Sequence, residues 1–395
     1  MYEAEMSKLR ELYRQGVLEK TYYKNSLEGI GSFLSYDRFC RIPFMTKQSI
    51  RETPIMERTN TAFGDIHGVF SSSGTTGDKT FYVYNRNDQR VHEEFVRTYF
   101  TQLGITPCDI GGVMAPIGTG VMAHTMMWQF QIMGAGYINC PDPSPESILE
   151  FTEKVPITVI STRPSIVSSV AYSPEWTIRA QRSSVRTLAL GGGFLSAQRR
   201  QLLERVWDAK CYSLLGMSEM FGPIASECPA QDGMHYLDRY LLIEVVDPVT
   251  KQPVPDGKPG VAVYTTLWDK GFPLLRYWTD DVIRIEREQC VCGCGLPRIY
   301  YVGRRADCYE IGDRTVYPEQ VEDILFSYGL IGDYRIDKTE LGYNLYSESM
   351  IDSLPAQMMS SLEELLQGSV TFYPLERGAL NYHGVGRRFR DLCNK

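Results

Sequence analysis

Ser71-Ser72-Ser73-Gly74-Thr75-Thr76-Gly77-Asp78-Lys79-Thr80 follows the apolar pair Val69-Phe70 and runs into Phe81-Tyr82-Val83-Tyr84. Hydroxyls and flexible glycines therefore stand between two strand-like runs. Glycine lets successive backbone N–H groups turn toward an anion, and Ser and Thr add donors without bulk. A Walker A loop would end in Gly-Lys-Ser/Thr, and this one does not. Taken alone, the stretch reads equally well as a phosphate cradle or as an ordinary polar hairpin.

Outward from the loop, helical and strand-like patterns alternate. Glu93–Leu103 has helical spacing, Ile110–Ala115 and Pro156–Ser161 read as strands, Ser196–Val206 as a helix and Ala209–Leu214 as a strand. Alternation of this kind predicts a doubly wound α/β sheet. Between Asp109 and Asp142 there is no Lys, Arg, Asp or Glu. Its prolines, glycines, His124, Gln129, Gln131 and Asn139 are costly in lipid, so the expectation is a buried strand, a glycine-rich loop and a buried helix. Residues 1–60 look helical and charged, with helical spacing in Ser7–Tyr13 and a stop at Arg41-Ile42-Pro43.

After Cys228 the texture changes. Tyr240–Val246, Gly260–Thr266 and Asp281–Glu286 are short β-rich runs separated by turns such as Pro255-Asp256-Gly257. They predict an antiparallel, barrel-like part over about residues 224–300. Past Gly303 a small α+β module is expected, opening on a helix over Pro318–Phe326 with its acids in the first turn. A boundary near Arg305 would divide a large domain, 1–304, from a small one, 305–395.

The chain has 395 residues, with 41 basic and 48 acidic side chains giving a net charge of −7. A 43% hydrophobic and 23% charged composition excludes wholesale disorder. With no long Lys/Arg block, neither a nucleic acid nor a membrane surface is an expected partner. Met1–Glu19 lacks the apolar core of a signal peptide, which points to the cytoplasm. Ten cysteines are too few for a disulfide scaffold in a chain this long. Cys290, Cys292 and Cys294 nevertheless crowd together, with Cys228 and His235 earlier in the same part. Thiolates and a neutral imidazole are good zinc ligands, and four of them close a tetrahedral structural site. The alternative is a set of reduced turn cysteines beside a surface histidine.

Further segments fix a resemblance. Ile42-Pro43-Phe44-Met45-Thr46-Lys47, Leu215-Gly216-Met217-Ser218-Glu219 with Gly222-Pro223, Leu275-Arg276-Tyr277-Trp278-Thr279-Asp280-Asp281, Gly303-Arg304 with Asp307, and Val316-Tyr317-Pro318-Glu319-Gln320-Val321-Glu322 occur in that order. Together with the Ser/Thr/Gly loop they resemble the adenylate-forming superfamily of acyl-CoA ligases, in its phenylacetate–coenzyme A ligase branch. The resemblance spans roughly residues 42–391.

It implies an ATP-dependent activation of a carboxylic acid, of the aryl or arylacetic class, as acyl-AMP. Transfer follows to a thiol of coenzyme A or a carrier protein; an amine acceptor, or nucleotide binding without turnover, are the rival readings. Ser72, Ser73, Gly74, Thr75, Thr76 and Gly77 would cradle phosphate. Glu219 would hold Mg2+ and Ser218 would touch the α-phosphate. Gly191, Gly192 and Gly193, with Leu215, Gly216 and Met217, would bed the base, Asp281 would take the ribose, and Arg304 would reach the ribose or a phosphate. Met122, His124 and Trp128 would line the acyl pocket. Relatives carry the Cys228, His235, Cys290, Cys292 set, which favours structural zinc. A homodimer stays open. Four departures stand out: Leu215 where a Tyr is usual, Asp78-Lys79 for Lys-Pro, Ala306 at the hinge, and Val385 where the family has its catalytic Lys. Either Arg387 or Lys79 supplies that charge, or adenylation is slow, or the protein has another task.

Overall fold

Val159-Ile160-Ser161-Thr162 is buried along its whole length, as is nearly all of Thr187–Gly191. Strands covered on both faces belong in a parallel sheet flanked by helices, and that is their setting. The computed structural model describes residues 2–16, 18, 23, 27, 35–59, 61–72, 79–118, 120–349, 351–376, 378–380 and 389–393. The expected phosphate-loop residues Ser73, Gly74, Thr75, Thr76, Gly77 and Asp78, and the C-terminal Val385 and Arg387, lie outside them.

The chain separates into two compact units. One comprises Leu103–Ile117, Met126–Leu215 and Tyr301–Lys395. Its parallel strands are β3 (Ile110–Met114), β4 (Gly136–Cys140), β5 (Val159–Thr162), β6 (Thr187–Gly191) and β7 (Lys210–Met217), in the order β7-β6-β5-β3-β4. The helices Pro145–Lys154 and Ala197–Trp207 cover them, burying Ile148, Leu149, Leu203 and Trp207 with Ile160, Leu188 and Leu190. Each helix starts on a serine whose hydroxyl accepts a backbone N–H, Ser144 from Ser147 and Ser196 from Arg199. Pro156 lies ahead of β5, and the strand begins only at Val159.

The same unit carries the C-terminal α+β module. The hairpin β14 (Tyr309–Ile311) and β15 (Arg314–Val316) precedes the helix Pro318–Ser327. A four-stranded sheet follows, built from β16 (Tyr334–Thr339), β17 (Gly342–Ser347), β18 (Val370–Pro374) and β19 (Phe389–Asp391), in the order β18-β17-β16-β19. Its own core includes Val321, Leu325, Ile336, Leu345 and Leu362.

The other unit comprises Met1–Gln102, Gly118–Thr125 and Gly216–Tyr300. The hairpin β1 (Ile66–Ser71) and β2 (Phe81–Asn85) frames the expected phosphate loop, with Ser71 opposite Phe81. The following helix starts at Arg86, ahead of the predicted Glu93, because Asn85 and Asp88 cap it reciprocally: each backbone N–H donates to the other's side chain, at 3.0 and 2.9 Å. The antiparallel strands are β8 (Gly222–Glu227), β9 (Met234–Tyr236), β10 (Leu241–Val246), β11 (Gly260–Thr266), β12 (Tyr277–Glu286) and the first three residues of β13 (Arg298–Arg304). β12 is longer than the predicted Asp281–Glu286. Val261 pairs with Val282 but Val263 with Trp278, so Thr279, Asp280 and Asp281 sit in a bulge that interrupts the period-2 pattern. Among the described residues, no helix is long and apolar enough to cross a membrane.

Candidate active site and metal centre

β7 runs to Met217, and a single 3-10 turn, Ser218–Met220, follows. A Cβ at Gly216 would come within 2.8 Å of the Gly222 carbonyl oxygen, so the close return of the chain requires glycine there. Phe221 takes a left-handed φ of 62°, a strained choice for a bulky residue, directly after the turn that carries Glu219.

Glu219 is buried. Two hydrogen bonds and one ion pair reach it among the described residues, all on the same oxygen. The Tyr82 and Tyr277 hydroxyls donate to Oε1 at 2.9 and 3.0 Å, and Lys47 Nζ stands 3.8 Å away. Burial, reinforced by the Glu219 charge, holds both phenols well above their ordinary range, so they remain donors. Oε2 has no partner among the described residues. A hard anionic oxygen held this way suits Mg2+, so Glu219 fits the role expected of it.

Lys47 is brought there by the segment in front of it. Met45 N–H donates to the Arg276 carbonyl, and Trp278 N–H to that of Met45, at 3.0 and 2.8 Å, laying Ile42–Lys47 along β12. Thr46 and Ser49 then form a capping box that starts the helix Lys47–Glu52. Arg276 clamps the segment from below. Its guanidinium meets both Glu244 oxygens, at 3.0 and 2.8 Å, and donates to the Cys40 and Ile42 carbonyls.

The neck of the phosphate loop is described although its tip is not. Ser72 N–H donates to the Thr80 carbonyl at 2.8 Å, and Thr80 N–H to Ser72 Oγ at 3.2 Å. Lys79 is exposed beside it. Asp281 is half-buried in the β12 bulge, its N–H donating to Thr279 Oγ1. Met122 and His124 lie on the helix Val121–Met133, where His124 Nε2 is 3.1 Å from the Gly118 carbonyl and its ring packs on Phe70. These all belong to the unit that holds Glu219.

Trp128, Leu215, Gly191, Gly192, Gly193 and Arg304 belong to the other unit. There Gly191 ends β6, where a Cβ would come 3.2 Å from the Leu214 carbonyl, and Gly192 has a φ of +71°. Arg304 ends β13 and follows Gly303, whose Cβ would collide with Pro318. Met217 and Ser218 are half-buried beside Glu219 in sequence, and Gly216 is exposed.

A second constellation closes around four side chains. The ligand atoms of Cys228, His235, Cys290 and Cys292 all lie within 4.8 Å of one another. Cys228 and Cys290 sulfurs are 3.8 Å apart, and Cys292 Sγ is 3.4 Å from His235 Nε2. Tetrahedral zinc with Zn–S near 2.3 Å and Zn–N near 2.0–2.1 Å needs edges of about 3.8 and 3.5 Å. His235 Nδ1 faces the Leu296 carbonyl at 3.0 Å, which fixes the ring with Nε2 toward the sulfurs. Burial pushes the Cys228 thiol up to about 12, a cost that a bound cation would reverse. The donor set fits Zn2+. Cys294 stays beside it, its N–H donating to Cys292 Sγ at 3.4 Å.

The sequence reading assigned no role to Tyr82, Tyr277 or Lys47. Tyr277 and Lys47 stood inside quoted motifs, whereas Tyr82 read only as a strand residue.

Comparison with known proteins agrees with this geometry. The AMP-binding enzyme family matches residues 47–265. The chain is 30% identical to a phenylacetate–coenzyme A ligase of Thermus thermophilus over 327 residues, 78% of this chain and 71% of that protein. It is 25% identical to a phenylacetate–coenzyme A ligase of Escherichia coli over 339 residues, 84% and 74% of the two. Among solved structures, 2-hydroxyisobutyryl-CoA ligase in its postadenylation state is similar with a TM-score of 0.84 at 19% identity, covering 98% of this chain and 88% of that one. That likeness bears on the fold, which is the α/β architecture with a small C-terminal module expected above. The chain belongs to the AMP-binding enzyme family, in its phenylacetate–coenzyme A ligase-like branch.

Proposed function

We propose that the protein is an acid–thiol ligase that activates a carboxylic acid of the aryl or arylacetic class with Mg-ATP. A carboxylate oxygen attacks the α-phosphorus, the bond to the bridging oxygen breaks, and pyrophosphate leaves with the electron pair. A thiol sulfur, that of coenzyme A, then attacks the acyl carbon of the adenylate. The C–O bond to phosphate breaks, AMP departs and the thiol proton passes to solvent. Catalysis of this kind is mainly positioning and neutralisation of charge.

The observation that supports this reading is Glu219: a buried carboxylate with two phenols on one oxygen and, among the described residues, no partner on the other. Mg2+, when bound, would neutralise charge on the ATP phosphates. Ser72 and the Ser73–Gly77 loop would hold phosphate, Ser218 the α-phosphate, and Lys47 would supply a cation at the carboxylate's edge. Gly191–Gly193 and Leu215–Met217 would bed the base, with Asp281 on the ribose and Arg304 on the ribose or a phosphate; His124, Met122 and Trp128 would line the acyl pocket. In this reading residues 1–304 form the large adenylating domain and 305–395 the small one, and zinc held by Cys228, His235, Cys290 and Cys292 braces β9 to the turn before β13. The setting is a reducing cytoplasm, consistent with ten free cysteines.

Incubation with ATP, Mg2+, a panel of aryl acids and either coenzyme A, a phosphopantetheinyl carrier or an amine tests the reaction. Mass spectrometry should find AMP and the acyl-CoA. An amide, or an acyl carrier, would reassign the acceptor. Consumption of ATP by none of the acids would leave a binding protein.

A further inference from the structure

Glu219 has an asymmetry that a plain metal ligand does not need. Both phenols and the Lys47 ammonium crowd Oε1, while Oε2 has no partner among the described residues. Tyr82 and Tyr277 are themselves buried, at 1% and 4% exposure, and come from separate strands, β2 and β12. They are therefore fixed donors rather than side chains that drift onto a convenient acceptor. A carboxylate oxygen offers about two lone-pair directions, and two O–H donors occupy them.

That arrangement restricts the cations Glu219 can take. Ca2+ accepts six to eight oxygens and readily uses both oxygens of one carboxylate. Mg2+ demands a near-octahedral shell, keeps waters, and is content with a single carboxylate oxygen plus phosphate. A cation chelated by both oxygens of Glu219 would have to displace two buried phenols from Oε1, at the cost of both hydrogen bonds, and would meet the Lys47 charge as it did so. A cation bound through Oε2 alone disturbs none of these contacts.

We propose that Tyr82 and Tyr277 are specificity-determining residues that hold Glu219 to single-oxygen binding and so select the Mg2+ complex of ATP over its Ca2+ complex. The proposal rests on the assignment of Glu219 to the metal–nucleotide site.

The test is equilibrium binding of MgATP and CaATP by calorimetry, with no acid present, to the wild type, Tyr82→Phe, Tyr277→Phe, the double variant and Glu219→Gln. The folded state of each is checked by thermal unfolding. The wild type should bind MgATP at least about tenfold more tightly than CaATP, and Glu219→Gln should lose most of that preference. Loss of the two hydroxyls should narrow the ratio to about threefold or less, chiefly by tightening CaATP, with each single variant in between. A tyrosine that serves packing alone would weaken both complexes alike and leave their ratio unchanged. An unchanged ratio in the folded variants therefore overturns the proposal; should the double variant not fold, the singles decide it. A wild type without metal preference overturns it as well. If Glu219→Gln binds MgATP as well as the wild type, the assignment of Glu219 itself falls, and the proposal with it.

Discussion

Tyr82 and Glu219, 137 positions apart, meet through a 2.9 Å hydrogen bond in the interior. One residue follows the phosphate loop and the other follows β7, so the contact ties two motifs of the family into one site. Tyr277 completes it from a third segment, at 3.0 Å on the same oxygen.

Arg276 and Glu244 form a buried pair, and burial raises the Glu244 carboxyl above its ordinary value even with Arg276 beside it. Arg276→Met should cost about 3–5 kcal/mol, because it strands a buried carboxylate and frees two carbonyls of the segment leading to Lys47. Urea unfolding measures the loss. Arg276→Met with Glu244→Leu should recover much of it, since removing both charges removes the stranded one. A single variant as stable as the wild type would refute the clamp.

Asp109 supplies a pH signature. Burial pushes its carboxyl upward, but hydrogen bonds from Thr158, the Thr106 N–H and Arg186, with the Arg186 charge, outweigh it and hold it below the ordinary carboxylate value. A depressed folded value means the stabilisation is present above the unfolded value, about 3.9, and is lost as pH falls through the folded one. Asp109→Asn should therefore be less stable than the wild type at neutral pH, with the gap closing below about pH 4. Denaturation series at several pH values would show it; a gap independent of pH would not fit.

Zinc should be present at one per chain in protein prepared without chelator, as read by elemental analysis. Cys292→Ser should lower the melting temperature by several degrees and activity by less, since a closed structural site contributes to folding. Metal-free protein that melts at the same temperature as the zinc-loaded form would exclude this role.

Val385 lies outside the described residues, so its prediction rests on the family's terminal motif. Val385→Lys should raise the single-turnover rate of acyl-AMP formation about tenfold, which corresponds to 1.36 kcal/mol of transition-state stabilisation. Transfer from a preformed adenylate should not change. If Lys47 carries part of the missing charge, Lys47→Met should slow the first step in the wild type and matter less in Val385→Lys. No gain in Val385→Lys together with a collapse in Arg387→Ala would give the role to the arginine.

The alternation of strands and helices was legible because both faces of β5 and β6 are buried and their helices carry serine caps. The Cys/His quartet was legible as a set of candidate ligands, since residue type marks thiols and an imidazole, and the fold brings the four together; Glu219 was singled out only by the family motif around it, because a carboxylate after a strand reads by itself as a surface acid. The phenols were not legible. Their role comes from pairing across 137 and 58 positions, and nothing local distinguishes Tyr82 from the apolar strand residues around it. The Asp281 bulge was equally hidden, because a strand interrupted by three residues has no period to read. Lys47 stood in a quoted motif, but the pairing of Met45 with β12 and the Arg276 clamp that bring it to the carboxylate join segments more than 200 positions apart.

The most direct test of the account is acid-dependent release of pyrophosphate from Mg-ATP, measured for the wild type and Glu219→Gln with the best acid of an aryl panel. The account predicts release in the wild type and a fall of at least about tenfold in Glu219→Gln, with the melting temperature preserved, because a neutral amide is a poor Mg2+ ligand. Equal release from the two proteins would contradict it.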